Sequence, residues 1–265
     1  MMNHAETAGM VTLELRLPLM MLVAFHCGML AAADPVTAWR QTHVIPAAEA
    51  GQAAATDEHF VYAVNNTHVA KYDRKTGQRL AVSMGPAQHL NSAYLWDGRL
   101  YSAHSNYPKN PEHSEIKVLD LESMQLTTFH DFGESEGSLT WANRHADQWW
   151  CHFAFYGIEN HRSYLARYDN QWQETGRWTL PVELIARLGA FSLSGGIWHG
   201  DELLVTGHDD PIVFRLRLPR SGHVLELIGA EPAPFTGQGI AVDPLTGGLV
   251  GIHRPKKQVL FAEPE

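Results

Sequence analysis

The chain has 265 residues, of which 45% are apolar, 18% charged and 10% aromatic, with 22 Gly, 14 Pro and 16 His. That is enough apolar chain for one large core, which sets aside disorder, a collagen-like repeat and a disulfide-stapled miniprotein. A formal net charge of −9 repels phosphate backbones, so no nucleic-acid partner is expected.

The first segment reads as an export signal. Residues 17–30 are largely apolar, and Ala31-Ala32-Ala33 before Asp34-Pro35 has the small-x-small form of a cleavage site. Arg16 is the one firm positive charge ahead of it, opposed by Glu6 and Glu14, and Met10 offers an alternative start. A stretch of roughly 17 residues broken by Pro18 and His26 is short for a membrane span. The residues before Cys27 do not form a lipoprotein box. The expectation is a signal peptide over residues 1–33 and one domain over 34–265, periplasmic or extracellular, monomeric and free of the membrane after cleavage. Cys151 is then the sole cysteine, and no intramolecular disulfide is expected.

Beyond residue 34 the chain repeats itself. Five segments begin at Gly51-Gln52-Ala53, His89-Leu90-Asn91, Glu136-Gly137-Ser138, Ser194-Gly195-Gly196 and Gly237-Gln238-Gly239. Each runs through short strands separated by polar turns, and the spacing is that of a four-stranded propeller blade. Second strands are legible in Phe60-Val61-Tyr62-Ala63, Leu100-Tyr101-Ser102-Ala103, Leu203-Leu204-Val205-Thr206 and Leu249-Val250-Gly251-Ile252. Asp97-Gly98 and Gly200-Asp201 supply turns before two of them. One helix interrupts the pattern, over residues 181–188, with Pro181 in its first turn and Gly189 past its end.

The last repeat is one strand short, whereas the first is preceded by a spare strand, Thr42-His43-Val44-Ile45. Donating that strand to the last repeat removes two open sheet edges at once. The fold expected is therefore all-β, a single propeller of five four-stranded blades closed by an N-terminal strand. Six blades is the competing count, and a sandwich leaves the period unexplained.

In a propeller the inner strand begins on the face where the second strand ends, so residues at those points surround one mouth of the channel. Aligned second strands place Asn65, His104, His208 and His253 at equivalent positions. The inner strands add Gln52, His89, Asn91, Glu136, Ser194 and Gln238. Converging neutral imidazoles can hold a divalent metal ion, so His89, His104, His208 and His253 are candidate ligands. They can equally move protons near neutral pH without a metal. A repeated histidine that only ties neighbouring blades together is the structural alternative. His89, Glu136, His253 and Arg254 are the candidate catalytic residues, with Arg254 suited to a substrate carboxylate. Asn65, Asn91, Asn106, Tyr107 and Gln238 are candidate substrate contacts on the same face. A two-carboxylate glycosidase fits poorly, because Glu136 alone is an acid so placed. No nucleophile elbow, Walker loop or His-Glu-x-x-His helix occurs.

The stretch from His89-Leu90-Asn91-Ser92 through His104-Ser105-Asn106-Tyr107-Pro108, with Ser138-Leu139-Thr140-Trp141 and Val205-Thr206-Gly207-His208-Asp209, resembles secreted bacterial propellers often labelled cycloisomerase-like. The resemblance implies the fold and an exported location rather than one reaction. The function expected is an exported enzyme acting on a small polar or sugar-derived substrate by lyase, isomerase or lactonase-type proton abstraction. A non-catalytic propeller that binds a glycan or a protein is the alternative.

Overall fold

A computed structural model describes residues 37–265; the expected signal peptide, residues 1–33, lies outside the described residues. Twenty strands form five antiparallel four-stranded sheets, each a blade of one ring. After β1 (Trp39–Pro46), the first blade comprises β2 (Ala53–Thr56), β3 (Phe60–Val64), β4 (Val69–Asp73) and β5 (Arg79–Val82). The second comprises β6 (Tyr94–Trp96), β7 (Arg99–Ser105), β8 (His113–Asp120) and β9 (Leu126–Glu134). The third is β10 (Ser138–His145), β11 (Gln148–Ala154), β12 (Tyr164–Tyr168) and β13 (Glu174–Thr179). After helix α1 (Val182–Leu188) follows the fourth, β14 (Gly195–His199), β15 (Glu202–Thr206), β16 (Ile212–Arg217) and β17 (Glu226–Pro232). The fifth has β18 (Ala241–Val242), β19 (Leu249–His253) and β20 (Gln258–Pro264) from the end of the chain, and β1 as its outer strand.

The closure expected from the missing strand is present. His43 pairs with Phe261, Val44 with Leu260 and Ile45 with Val259, after a bulge between Gln41 and His43. The strand extends further back than the four residues legible in the sequence, to Trp39 opposite Pro264. Trp39 and Ile45 are buried and anchor the added strand to two different parts of the core.

Apolar side chains fill the gaps between blades. Trp141, Trp150 and Leu165 of the third blade pack with Leu203, Val205 and Phe214 of the fourth. Tyr101 and Ile116 of the second meet Leu139 and Trp149 of the third. Near the axis the residues must shrink, since five inner strands converge there. All of β2, Ala-Ala-Ala-Thr, is buried, and Ala53 bridges in parallel to Gly239. At Gly195 a Cβ would stand 2.3 Å from the carbonyl oxygen of Gln238 and 2.6 Å from Thr206 Oγ1. Gly195→Ala is therefore expected to destabilise the fold by about 3 kcal/mol, the upper end of overpacking costs. Urea unfolding of the variant beside the parent chain reads that difference.

Helix α1 occupies the expected connection between third and fourth blades, and Gly189 after it takes φ +62°. Cys151 is buried within β11. Among the described residues no helix is long and apolar enough to cross a membrane.

Candidate functional site

The face on which the inner strands begin carries a small axial cavity of about 160 Å³. Every blade contributes to it. Gln52 and Asn66 come from the first, His89 and Asn91 from the approach to the second, Thr140 and Tyr156 from the third, Ser194 and His208 from the fourth, and Gln238 and Arg254 from the fifth. Tyr107 and Phe191 complete the wall. No carboxylate lines it, so its formal charge comes from Arg254, with two imidazoles beside it.

His208 is the most closely held of these groups. It lies two residues past the end of β15, and its ring stacks on Phe191 at 3.9 Å and 8°. Its Nδ1 is 2.6 Å from Asp209 Oδ2, and its Nε2 is 3.3 Å from Arg254 Nη1. A guanidinium donates and a carboxylate accepts. The network therefore assigns the proton to Nδ1 and leaves a lone pair on Nε2. Gln238 holds the turn from beneath, its Nε2 donating to the His208 carbonyl at 2.6 Å.

His89 faces the same cavity. Burial, reinforced by the Arg254 charge, holds its imidazole below the usual histidine range, so it is neutral near pH 7. Its ring lies 5.5 Å from that of Tyr107, which in turn lies 5.1 Å from Tyr156. Burial, with the Glu112 carboxylate nearby, pushes the Tyr156 phenol well above its ordinary value and keeps it a proton donor. Asn91 Nδ2 donates to the Leu139 carbonyl at 3.0 Å, tying the second blade to the third. Gln52 Nε2 donates to Asn66 Oδ1 at 2.5 Å.

Of the residues singled out in the sequence, the structure gathers Gln52, His89, Asn91, Tyr107, Ser194, His208, Gln238 and Arg254 at this cavity and places five others elsewhere. His104 lies inside β7, buried; its Nε2 accepts from the Gln88 N–H at 3.0 Å and its Nδ1 stands 2.9 Å from Glu115 Oε2 on β8. That is a tie within the blade. His253 ends β19, and its Nδ1 accepts from the Lys256 N–H at 3.4 Å. The Glu136 side chain is 74% exposed and lies 3.6 Å from Arg177. Asn65 closes its own turn, accepting from the Thr67 and His68 N–H groups, while its neighbour Asn66 reaches the axis. Asn106 braces its loop against Pro111 and His113.

His89, His104, His208 and His253 accordingly do not form one ligand shell. Among the described residues, the group of three donor side chains whose ligand atoms fall within 4.8 Å of one another is His113, Glu115 and Asp131, on β8 and β9. His113 Nε2 is 2.8 Å from Asp131 Oδ1, and Lys117 Nζ is 2.8 Å from Glu115 Oε2.

Two buried histidines give the fold a pH dependence. His152 is fully buried, with Nδ1 2.8 Å from Thr140 Oγ1, and desolvation pushes it down to about 3. Burial and the adjacent Lys117 ammonium take His104 to about 4, against the pull of Glu115. Both bind protons more readily unfolded than folded, so stability rises with pH across the interval between folded and unfolded values. Between about pH 4 and 6 each is expected to add a slope of up to about 1.4 kcal/mol per pH unit, greatest near pH 5. A His152→Gln variant, unfolded in urea at pH 4.5 and 7, should lose most of its share of that slope.

The comparisons with known proteins show fold only. A crystal structure of Myxococcus xanthus glutaminyl cyclase superposes with a TM-score of 0.58 at 11% identity, covering 87% of this chain and 98% of that one. A chain from a mitotic checkpoint complex gives a TM-score of 0.47 at 12% identity, covering 91% of this chain and 98% of its own. The extracellular domain of a putative one-component system from B. thetaiotaomicron gives 0.41 at 13%, covering 75% of this chain and 24% of its own. No protein-family model matches the chain, and no curated protein is similar to it. None of the three structural neighbours carries the cycloisomerase-like label.

Proposed function

We propose that this propeller is an exported enzyme that removes a proton next to the carboxylate or carbonyl of a small polar or sugar-derived acid in the axial cavity. The observation that carries the reading is the His208, Asp209 and Arg254 arrangement in a cavity with no lining carboxylate. Arg254 meets the substrate carboxylate and, in doing so, is drawn away from His208 Nε2. The freed imidazole takes the carbon-bound proton, and Asp209 stabilises the imidazolium that results. Negative charge then develops on the substrate oxygens, where Arg254 and the Tyr156 hydroxyl can meet it. The His208 imidazolium can return the proton to the substrate, while His89, neutral and on the same cavity, is placed to donate a hydrogen bond to it. At about 160 Å³ the cavity falls below the range for drug-sized ligands, which favours a compact substrate.

The divalent-metal part of the reading moves to His113, Glu115 and Asp131, an imidazole with two carboxylates. Elemental analysis of the purified chain and of a His113→Ala variant reads it directly.

The test of the main reading is hydrogen exchange in D2O. Proton NMR follows loss of the signal beside the carboxylate in a panel of sugar acids, hydroxy acids and their lactones. At least one compound should exchange with the parent chain and stop exchanging with Arg254→Met. Exchange that persists in Arg254→Met removes Arg254 from the site. Binding without exchange supports the non-catalytic alternative instead.

A further inference from the structure

The channel has a second mouth, on the face where the inner strands end. It opens into a cavity of about 610 Å³, within the range that takes an organic ligand of moderate size. Its wall is built by all five inner strands, through Thr56, Trp96, His145, Trp198 and Val242 at or near their ends. Its depth is apolar, formed by Ala55, Leu95, Ile197 and Ala241. None of these residues touches the axial site, and the cavity is the more apolar of the two.

Flat groups frame the opening. The Arg144 guanidinium sits 4.5 Å over the Trp96 ring, and His145 stacks on Trp198 at 4.4 Å and 13°. The charges present are two carboxylates against one guanidinium. Arg144 is already engaged, donating from Nη1 to Asn170 Oδ1 and from Nη2 to the Asp147 carbonyl, each at 2.9 Å. Neither Asp57 nor Asp97, both on the cavity wall, has an ion-pair partner among the described residues. Asp57 Oδ1 accepts the His59 and Phe60 N–H groups at 2.7 and 2.6 Å, and Oδ2 accepts the Tyr62 hydroxyl at 2.9 Å, which fixes the carboxylate in place. The net formal charge at this mouth is negative, two carboxylates against one guanidinium, whereas at the axial site it is positive.

We propose that this second mouth is a binding site for a flat, mainly apolar ring system that carries a positive charge, such as an arylalkylamine. The ring enters the apolar depth between Trp96 and Trp198, and the cation stays at the rim, facing Asp57 and Asp97. The site is independent of the chemistry proposed for the opposite face.

Three indoles of matched size test it by titration calorimetry: tryptamine, tryptophol and indole-3-acetate, at one low ionic strength. Tryptamine should bind at least threefold more tightly than tryptophol, and indole-3-acetate more weakly than either. Asp97→Asn should weaken tryptamine three- to tenfold and leave tryptophol unchanged, since only a charge is removed at a turn position Asn accepts. Trp96 is 37% exposed, so Trp96→Ala keeps the core and should weaken both. Indole N–H resonances locate the ligand: those of Trp96 and Trp198 should move on addition of tryptamine. Equal affinity for the amine and the acetate overturns the charge assignment. Absence of tryptamine binding, or shifts confined to residues of the other mouth, overturns the site.

Discussion

Replacing His208 with Asn is expected to lower the rate of carbon-bound hydrogen exchange by a factor of roughly 10² to 10⁴, the span usually removed with a general base. The side chain is held by three contacts, a stack on Phe191, a hydrogen bond donated from Nδ1 to Asp209 and one accepted at Nε2 from Arg254. Its surroundings would therefore survive the exchange for a smaller amide. Asp209→Asn tests the tautomer rather than the base. An amide nitrogen facing Nδ1 favours the wrong ring proton, and the rate should fall less than with His208→Asn while binding is preserved. Arg254→Met should raise KM and lower kcat together, to loss of detectable exchange, because the guanidinium both holds the carboxylate and meets the developing charge. Stopped-exchange NMR at several substrate concentrations separates the three outcomes. Equal, small losses in all three variants would remove His208 from the chemistry.

The second large effect concerns closure of the ring. Removing the chain through Pro46 takes away every register pair of β1 with β20, from Trp39–Pro264 to Pro46–Gln258. It also deletes two buried anchors, Trp39 and Ile45. Truncating a single buried Trp or Ile typically costs about 2–5 kcal/mol. A domain holds only about 5–15 kcal/mol in all. The shortened chain is expected to aggregate or melt far below the full one. Ile45→Ala is the graded version, expected to cost about 2–5 kcal/mol in urea unfolding. A synthetic peptide of residues 37–46 should restore part of the lost stability. If the shortened chain melts with the full one, β1 contributes nothing to closure.

The sequence and the structure agree most closely where local chemistry and period act together. Asp97-Gly98 marks a tight turn, and both residues indeed take positive φ between β6 and β7. Pro181 and Gly189 bracket α1 for the same kind of reason. The count of five blades followed from a missing strand at one place and a spare one at another. The site was legible only in part, because equivalent repeat positions are not equivalent heights. β7 runs on through His104 to Ser105, whereas β15 stops at Thr206, two residues short of His208. A slip of two residues along a strand end separates a side chain bonded within its blade from one on the axis. Asn65 and Asn66 differ in the same way by one residue. Glu136 precedes Gly137, whose φ of +92° turns the chain before β10 begins, and the carboxylate ends up in solvent. Phe191 escaped notice altogether. It comes from the loop after α1, which belongs to no repeat, and its role is visible only as a ring lying on His208.

The strand β1 has one more consequence, for the order in which the molecule can assemble. Thr37 and Glu265 are bonded to each other across a separation of 228 residues. A nascent chain emerging from its N-terminal side can complete the first four sheets in turn, but β1 has no mate until β20 appears. Until then one sheet has two unpaired edges, and Gln238 and Arg254, which come before β20 in the chain, sit on a blade that is not yet closed. Contacts of such long range are slow to form, because the intervening loop must be closed before they contribute. Closure of the ring is thus a late event, and a chain stalled before residue 237 would hold four finished blades around an axial cavity still without Gln238 and Arg254.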